Sequence, residues 1–109
     1  MDTPKQYCES IKLPEALGIR SVSELYTNFT DEFQGRDTIV ISIPENAEVD
    51  LSFIQLIESS RRQAKADGKT FKLSTPARGS VLKVLERAGL IESFDQEDTK
   101  FWLHKEVTL

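Results

Sequence analysis

The stretch TIVISIPENAEVDLSFIQLIE, residues 38–58, contains the change of pattern that decides the fold. Its first part, Thr38 to Ile43, is almost continuously apolar and rich in β-branched side chains, which is typical of a central strand covered on both faces. Pro44 ends this strand, and residues 44–48 form a polar connection. Apolar residues then recur with helical spacing from about Ser52 to Ala66, which predicts an amphipathic helix.

Strands and helices also alternate on the N-terminal side of this stretch. Residues 11–17, broken by Pro14 and followed by Gly18, predict a short edge strand or β-ribbon, because proline cannot donate to a strand ladder. A helix is predicted from Ser21, its N-cap, with Glu24 as the capping-box partner, and Gly35 ends it. The positions that follow the helical template are Val22, Leu25, Tyr26, Phe29 and Phe33.

The same alternation continues on the C-terminal side. Residues 69–74 predict a strand, Pro76 opens a third helix, and a polar loop over residues 95–100 leads to a last strand at residues 101–103, whose aromatic side chains are expected in the core. The order β, α, β, α, β, α, β is typical of a parallel sheet with crossover helices. The sequence therefore predicts one α/β domain over residues 1–109, with a mostly parallel or mixed sheet of about four to five strands and helices packed on it.

The composition predicts a soluble protein that binds neither nucleic acid nor anionic membranes. The chain has a net charge of −4 and a pI of about 5.0, whereas nucleic-acid binders normally carry a basic patch and a high pI. Cys8 is the only cysteine, so no intrachain disulfide can form, and a reducing, cytoplasmic location is expected. The N-terminus lacks the layout of a signal peptide, and no apolar run approaches the ~20 residues that span a bilayer.

The sequence contains no recognisable catalytic or metal-binding motif. His104 is the only histidine, and it cannot form a structural zinc site with the lone cysteine, because such sites need about four ligands. The motifs of phosphate-binding loops, zinc proteases and serine hydrolases are absent. We therefore expect a protein that uses no metal or cofactor and that is not an enzyme.

Residues 49–94 carry an ordered set of features around the start of the second helix. Asp50 and Ser52 stand where the helix begins, and a glycine turn, a strand ending near a proline and a helix ending in Gly-Leu follow. In this order the segment resembles the STAS family, which contains the anti-sigma-factor antagonists and domains of sulfate transporters. The matching positions are Val49, Asp50, Ser52, Ala66 to Gly68, Phe71 to Leu73, Pro76, Val81 to Leu85 and Ala88 to Leu90.

The resemblance implies a bacterial regulatory module that binds other proteins in signal transduction. In the family, a partner kinase phosphorylates a serine or threonine at the start of this helix, and phosphorylation releases the partner. The family's phosphoacceptor maps onto Ser52 and its aspartate onto Asp50. The implied partner is an anti-sigma kinase, a histidine-type kinase or another regulatory ATPase. Alternatively, the chain is an accessory subunit bound to the ATPase of an ABC-type lipid or anion transporter.

Two residues beside Ser52 depart from the family pattern. Leu51 replaces the first serine of the motif, and Phe53 replaces a glycine, where it could obstruct a kinase or anchor a partner. Ser52 itself has two interpretations: the phosphoacceptor of a switch, or the N-cap of the helix with Gln55 at capping-box spacing. In both interpretations we expect Asp50, Leu51 and Phe53 to belong to a partner-binding surface.

Two further groups have a structural and a functional interpretation. Ser74 and Thr75 lie at a neighbouring strand-to-helix junction, where they could contact the partner or cap the third helix. A basic cluster on the second helix fits a solvated face, in which Glu58 pairs with the arginine four residues on, or the rim of an interface with an acidic partner. The members of this cluster are Arg61, Arg62 and Lys65.

Overall fold

The computed structural model describes residues 11–105 of the chain. Strands and helices alternate over most of this range, which confirms the predicted α/β class, and Cys8 lies outside the described residues. In chain order the elements are β1 (Ile11–Lys12), β2 (Ala16–Leu17), α1 (Val22–Phe33), β3 (Thr38–Ser42), β4 (Glu48–Val49), α2 (Leu51–Ala66), β5 (Thr70–Leu73), α3 (Gly79–Arg87), a 3₁₀ turn (Ile91–Ser93) and α4 (Gln96–Leu103).

The five strands form two small parallel sheets instead of the single sheet that the sequence predicts. β3 lies between β1 and β5, and its Ile41 stands opposite Ile11 on one side and Leu73 on the other. β2 pairs with β4, with Leu17 opposite Val49. The sheets are separate because a proline follows β1 and another follows β3, and proline cannot donate to a ladder. The predicted edge strand is confirmed for β1.

Helices pack on one face of the three-stranded sheet. Ile39 and Ile41 of β3 are fully buried, whereas the alternate residue Val40 is only half-buried. Phe71, opposite Ile39, packs against Phe33 of α1 with ring centroids 5.3 Å apart, and α2 packs on both α1 and β5. The prediction that β3 is covered on both faces is therefore wrong. An almost continuous apolar run does not show which of its residues face helices.

The helical faces predicted from spacing supply most of the core. The buried helical residues are Leu25, Phe29, Phe33, Phe53, Ile54, Leu56, Ile57, Ser60, Ala64, Val81, Leu85, Phe101 and Trp102. Tyr26, predicted on the apolar face of α1, is instead 61% exposed. Ser21 precedes α1 as predicted, but its hydroxyl donates to the carbonyls of Ala16 and Gly18, and its side chain forms no cap with this helix.

Residues 101–103 belong to a helix and not to the predicted strand. The Asp95 carboxylate accepts a hydrogen bond from the N–H of Asp98 at 2.8 Å, and the Asp98 carboxylate accepts one from the N–H of Asp95 at 3.2 Å. This reciprocal capping box starts α4 within the segment predicted as a polar loop. The expectation that Phe101 and Trp102 lie in the core is confirmed.

A polar and aromatic cluster holds α4 against α2. The Trp102 indole donates a 2.7 Å hydrogen bond to Glu58. Arg61 pairs with both Glu58 and Asp98 at 2.9 Å, and its guanidinium lies 4.4 Å from the centre of the Phe101 ring. Only 17% of the Arg61 side chain is exposed, so its assignment to a solvated face is wrong. Glu58 pairs with Arg61, three residues on, and not with the predicted partner Arg62, four residues on.

The third helix begins after the predicted proline. Pro76 lies in a loop, and α3 begins at Gly79 with Arg78 at the N-cap position and no side-chain cap. The loop is held by the Ala77 N–H, which donates to the carbonyl of Trp102 at 2.7 Å. This bond ties the start of α3 to the end of α4, a contact between segments that are distant in the sequence.

Candidate protein-docking site at the start of α2

Asp50 caps α2 and also holds a distant loop. Its Oδ1 accepts hydrogen bonds from the N–H of Ser52 at 3.0 Å, from the Ser52 hydroxyl at 2.5 Å and from the N–H of Phe53 at 3.4 Å. Its Oδ2 accepts from the N–H of Ile19 at 3.0 Å. The prediction that Ser52 is the N-cap is therefore wrong, because the cap is Asp50 and Ser52 lies inside the first turn.

The contacts of Asp50 also keep its carboxylate charged. The Ser52 hydroxyl is the main cause that lowers the pKa of Asp50 below its ordinary value of 3.8. Desolvation partly opposes this effect, and the N–H groups of Ile19, Phe53 and Ser52 lower the pKa further. At neutral pH the carboxylate is an acceptor only, so the Ser52 hydroxyl must be the donor in their hydrogen bond.

Gly18 allows the loop after β2 to approach the carboxylate. A Cβ on Gly18 would lie 2.9 Å from Asp50 Oδ2, which is closer than such contacts normally are. The pairing of β2 with β4 brings the two residues together, because Leu17 stands opposite Val49. Nothing in the local sequence marks the approach of Gly18 to a residue so distant in the chain.

Two exposed apolar side chains flank the carboxylate. Ile19 is 72% exposed and Leu51 is 44% exposed, and with Tyr26 they are the exposed large hydrophobic residues among the described part of the chain. Single exposed apolar residues are common, but here the N–H of Ile19 donates to Asp50 and Leu51 directly follows Asp50, so both lie in one small region of the surface. We call residues 18–19 and 50–52 the Asp50 corner.

Phe53 does not belong to this surface, and its predicted role in partner binding is wrong. Its side chain is fully buried. It follows Leu51 by two positions, or about 200° around the helix, so one side chain faces the core when the other faces outward. Phe53 therefore neither obstructs access to Ser52 nor offers an anchor to a partner.

Ser74 and Thr75 are not hydrogen-bonded to the Asp50 corner within residues 11–105. The Ser74 N–H continues the β5 ladder by donating to Ile41 at 2.9 Å, and both residues precede the N-cap of α3, so their predicted capping role is wrong. The residue of α3 that reaches this region is Ser80, whose hydroxyl accepts from the N–H of Val49 at 3.3 Å. Sequence reasoning missed Ser80 because its partner lies 31 residues away.

Other classes of site were also sought in the described part of the chain. Residues 11–105 contain no group of three or more histidine, cysteine, aspartate or glutamate side chains that could hold a metal ion. None of the helices in this range is both long and apolar enough to cross a membrane. Compared with known proteins, the chain matches no family model, no curated protein and no solved structure.

Proposed function

We propose that this chain is a regulatory protein-binding module of the STAS type, which docks a partner through the Asp50 corner and is switched by phosphorylation of Ser52. The observation that carries the proposal is the hydrogen bond from the Ser52 hydroxyl to Asp50, the carboxylate that also holds the exposed Ile19 loop. Under this proposal the protein acts in the cytoplasm and has no catalytic activity of its own.

The docking half of the proposal rests on Ile19 and Leu51. Both side chains are exposed, the N–H of Ile19 donates to the Asp50 carboxylate, and Leu51 directly follows Asp50 in the chain. Burying such apolar anchors in a partner supplies affinity, whereas the hydrogen-bonded backbone beneath them keeps the surface in one shape before binding. The resemblance of residues 49–94 to the STAS family supports a kinase or regulatory ATPase as the partner.

The switching half rests on the position of the Ser52 hydroxyl. Transfer of the γ-phosphoryl group of a nucleoside triphosphate to Ser52 Oγ forms a phosphate ester, releases the hydroxyl proton and leaves the nucleoside diphosphate. The ester no longer donates to Asp50, and it adds roughly −1.5 to −2 charges beside an ionised carboxylate. The phosphate also competes for the free N–H groups of the first turn of α2.

Loss of the Asp50 contacts would change the docking surface directly. When Asp50 is repelled from the first turn of α2, its Oδ2 no longer holds the N–H of Ile19 in place. The apolar pair then loses its fixed spacing and gains a strongly charged neighbour, and both changes weaken an apolar interface. The expected result of phosphorylation is release of the partner.

A pull-down with matched variants tests the docking surface. The tagged full chain, its Leu51→Asp variant and its Tyr26→Asp variant are expressed in the native cells, and captured proteins that bind a nucleoside triphosphate are quantified. We expect Leu51→Asp to lose such a partner and Tyr26→Asp to retain it, because Tyr26 is also an exposed large hydrophobic residue but lies outside the Asp50 corner. Equal capture by all three chains would contradict docking at this surface.

The mass of the protein isolated from its own cells tests the switch. Fragmentation should place one phosphoryl group on Ser52 in part of the population, and Ser52→Ala and Ser52→Asp should bind the partner strongly and weakly, respectively. Ser59→Asp is the control, since Ser59 is an exposed serine on the same helix. An unmodified chain under several growth conditions, with a partner that binds both Ser52 variants equally, would leave a docking module without this switch.

A further inference from the structure

β5 forms one edge of the three-stranded sheet and has no strand partner on its outer side within residues 11–105. The N–H groups of Thr70, in β5, and of Ser74, just after it, donate to the carbonyls of Asp37 and Ile41, at 2.8 and 2.9 Å. Backbone groups of a parallel strand point to its two sides alternately, so the N–H and C=O groups of residues 71 and 73 point away from β3. Within residues 11–105, no strand pairs with that side of β5.

A basic groove runs along this open edge. Its volume is about 1050 Å³, and residues of β5, α2 and α4 line it. Five lysine or arginine side chains and His104 contribute to its walls, whereas Glu97 is the only acidic residue among them. The five basic residues are Arg61, Lys65, Lys69, Lys72 and Lys100. A chain with a net charge of −4 thus concentrates positive charge beside one strand edge.

Not all of this charge is available to a ligand. Arg61 is engaged with acidic side chains of α2 and α4, and the Lys69 ammonium donates to the carbonyl of Phe33. Lys65 pairs with Glu97 at 3.4 Å, but both side chains are largely exposed, so this pair is weak. Lys72 and Lys100 remain, and neither forms an ion pair with another residue of the described range.

We propose that the β5-edge groove binds an extended acidic segment of a partner protein, which adds a strand to β5. The outward N–H and C=O groups of the half-buried Phe71 supply the main-chain hydrogen bonds of such an addition, whereas Leu73 is buried, and the lysines select acidic side chains. Apolar side chains on the other face of the added strand can contact Phe71 and Phe101, which also line the groove. The site shares no residue with the Asp50 corner and does not depend on its function.

The charge of the groove favours a foreign segment over a second copy of this chain. Two β5 edges placed side by side would bring Lys72 of each copy near the other, together with their neighbouring lysines, and like charges beside a strand edge oppose pairing. An acidic strand removes this repulsion and replaces it with attraction, which is screened by salt.

Binding of a labelled peptide to the full chain tests the charge selection. The probe alternates glutamate and valine, and fluorescence anisotropy measures its Kd at low and high salt. We expect saturable binding that weakens with salt, and a Kd about five-fold higher for the Lys72→Gln/Lys100→Gln variant. Lys12→Gln/Lys83→Gln is the control, because both lysines are exposed and lie outside the groove. An equal loss of peptide affinity in both double variants would overturn the proposal.

Backbone methylation of the peptide separates strand addition from charge attraction. N-methyl groups on alternate residues remove the donors from one edge of an added strand, and the same groups on the intervening residues remove them from the other. One pattern should abolish binding and the other should preserve it. Equal binding of both peptides would overturn the proposal, as would competition by a single-stranded oligonucleotide that outbinds the peptide.

Amide hydrogen exchange in the free protein is the remaining test of the open edge. The amide of Phe71 should exchange rapidly without peptide and slowly with it, whereas the amides of Thr70 and Ser74 should be protected throughout. Protection of the Phe71 amide in the free monomer would show that another part of the chain already occupies the edge, and its protection in a dimer would show that a second copy occupies it. Either result would overturn the proposal.

Discussion

Two helices of this molecule begin at an aspartate, and their two caps differ in what else the carboxylate holds. Asp95, at the start of α4, exchanges hydrogen bonds with Asp98 three residues on. Asp50, at the start of α2, accepts from the first turn in the same way, but it also accepts from the Ser52 hydroxyl and from Ile19, 31 residues away. Both carboxyls have a lowered pKa, mainly because of the N–H of Asp98 in one case and the Ser52 hydroxyl in the other.

The difference separates a structural cap from a candidate site. Starting a helix explains every hydrogen bond of Asp95 within the described residues, and a local pattern is sufficient to predict such a box. Starting a helix does not explain why Asp50 holds the Ile19 loop, or why two exposed apolar residues flank it. These additional contacts are the reason for proposing a function at Asp50 and not at Asp95.

The largest expected change in stability comes from Trp102, which packs α4 into the core, since a helix cap alone does not hold a helix in place. Replacing Trp102 by alanine removes a fully buried side chain and leaves Glu58 without its indole donor. We expect the free energy of unfolding to fall by about 3–5 kcal/mol, as for other large core aromatics. Urea titration of the variant measures this change.

Tyr26→Ala is the matched aromatic control for the Trp102 variant. Tyr26 is 61% exposed, so its loss should change the free energy of unfolding by less than about 0.5 kcal/mol. If Trp102→Ala lowered the free energy of unfolding as little as Tyr26→Ala, α4 would not be part of the cooperative core, and its cap could not be compared with that of α2.

Removal of the two carboxylates compares the caps directly. Asp50→Ala should lower the free energy of unfolding by about 2 kcal/mol, the high part of the range for N-caps, and Asp95→Ala should lower it by less. The larger value is expected because Asp50 also holds Ile19. Exchange of the Ile19 amide should accelerate only in Asp50→Ala. The same acceleration in both variants would contradict a special role for Asp50.

The close approach of Gly18 to Asp50 gives a smaller effect that depends on both residues. A methyl group at Gly18 should push the carboxylate away from its donors, which costs about 1 kcal/mol of stability. In an Asp50→Ala background the same substitution should cost almost nothing, because the obstructing oxygen is gone. A double-mutant cycle measures the coupling, and strict additivity of the two changes would count against the contact.

Acidification gives the smallest expected effect. The pKa of Asp50 is lower in the folded chain than its ordinary value of 3.8, so its contribution to stability is complete above that value and is lost as the pH falls through the folded pKa. The wild type should therefore be more stable than Asp50→Asn at about pH 6, and the gap should narrow at about pH 3. A gap that widened on acidification would contradict the lowered pKa.

Much of the fold could be predicted from local patterns. The apolar faces of α1, α2 and α3 follow from helical spacing, and the edge position of β1 follows from the neighbouring proline. Two local interpretations are wrong for reasons that are also local. The strand predicted at residues 101–103 is a helix, because Asp95 and Asp98 have capping-box spacing, and the N-cap of α2 is Asp50 and not Ser52.

The candidate site was only partly predictable. Asp50, Leu51 and Ser52 were found from their place at the start of a helix, and the structure brings all three into the Asp50 corner. Phe53 was misplaced because its exposure depends on how the helix is rotated against the core. Ile19 and Ser80 were missed because each reaches this region from a segment 31 residues away.

The sequence alone thus determined the α/β class, the helical faces and the presence of an aspartate and a serine at one helix start. Periodicity and capping are properties of neighbouring residues, so they can be recognised before the chain folds. Only the tertiary structure decided that this aspartate holds a distant loop, that Phe53 is buried and that, within residues 11–105, no strand pairs with the outer side of β5. These features depend on which segments meet when the strands pair and the helices pack, and local spacing does not predict contacts between distant segments.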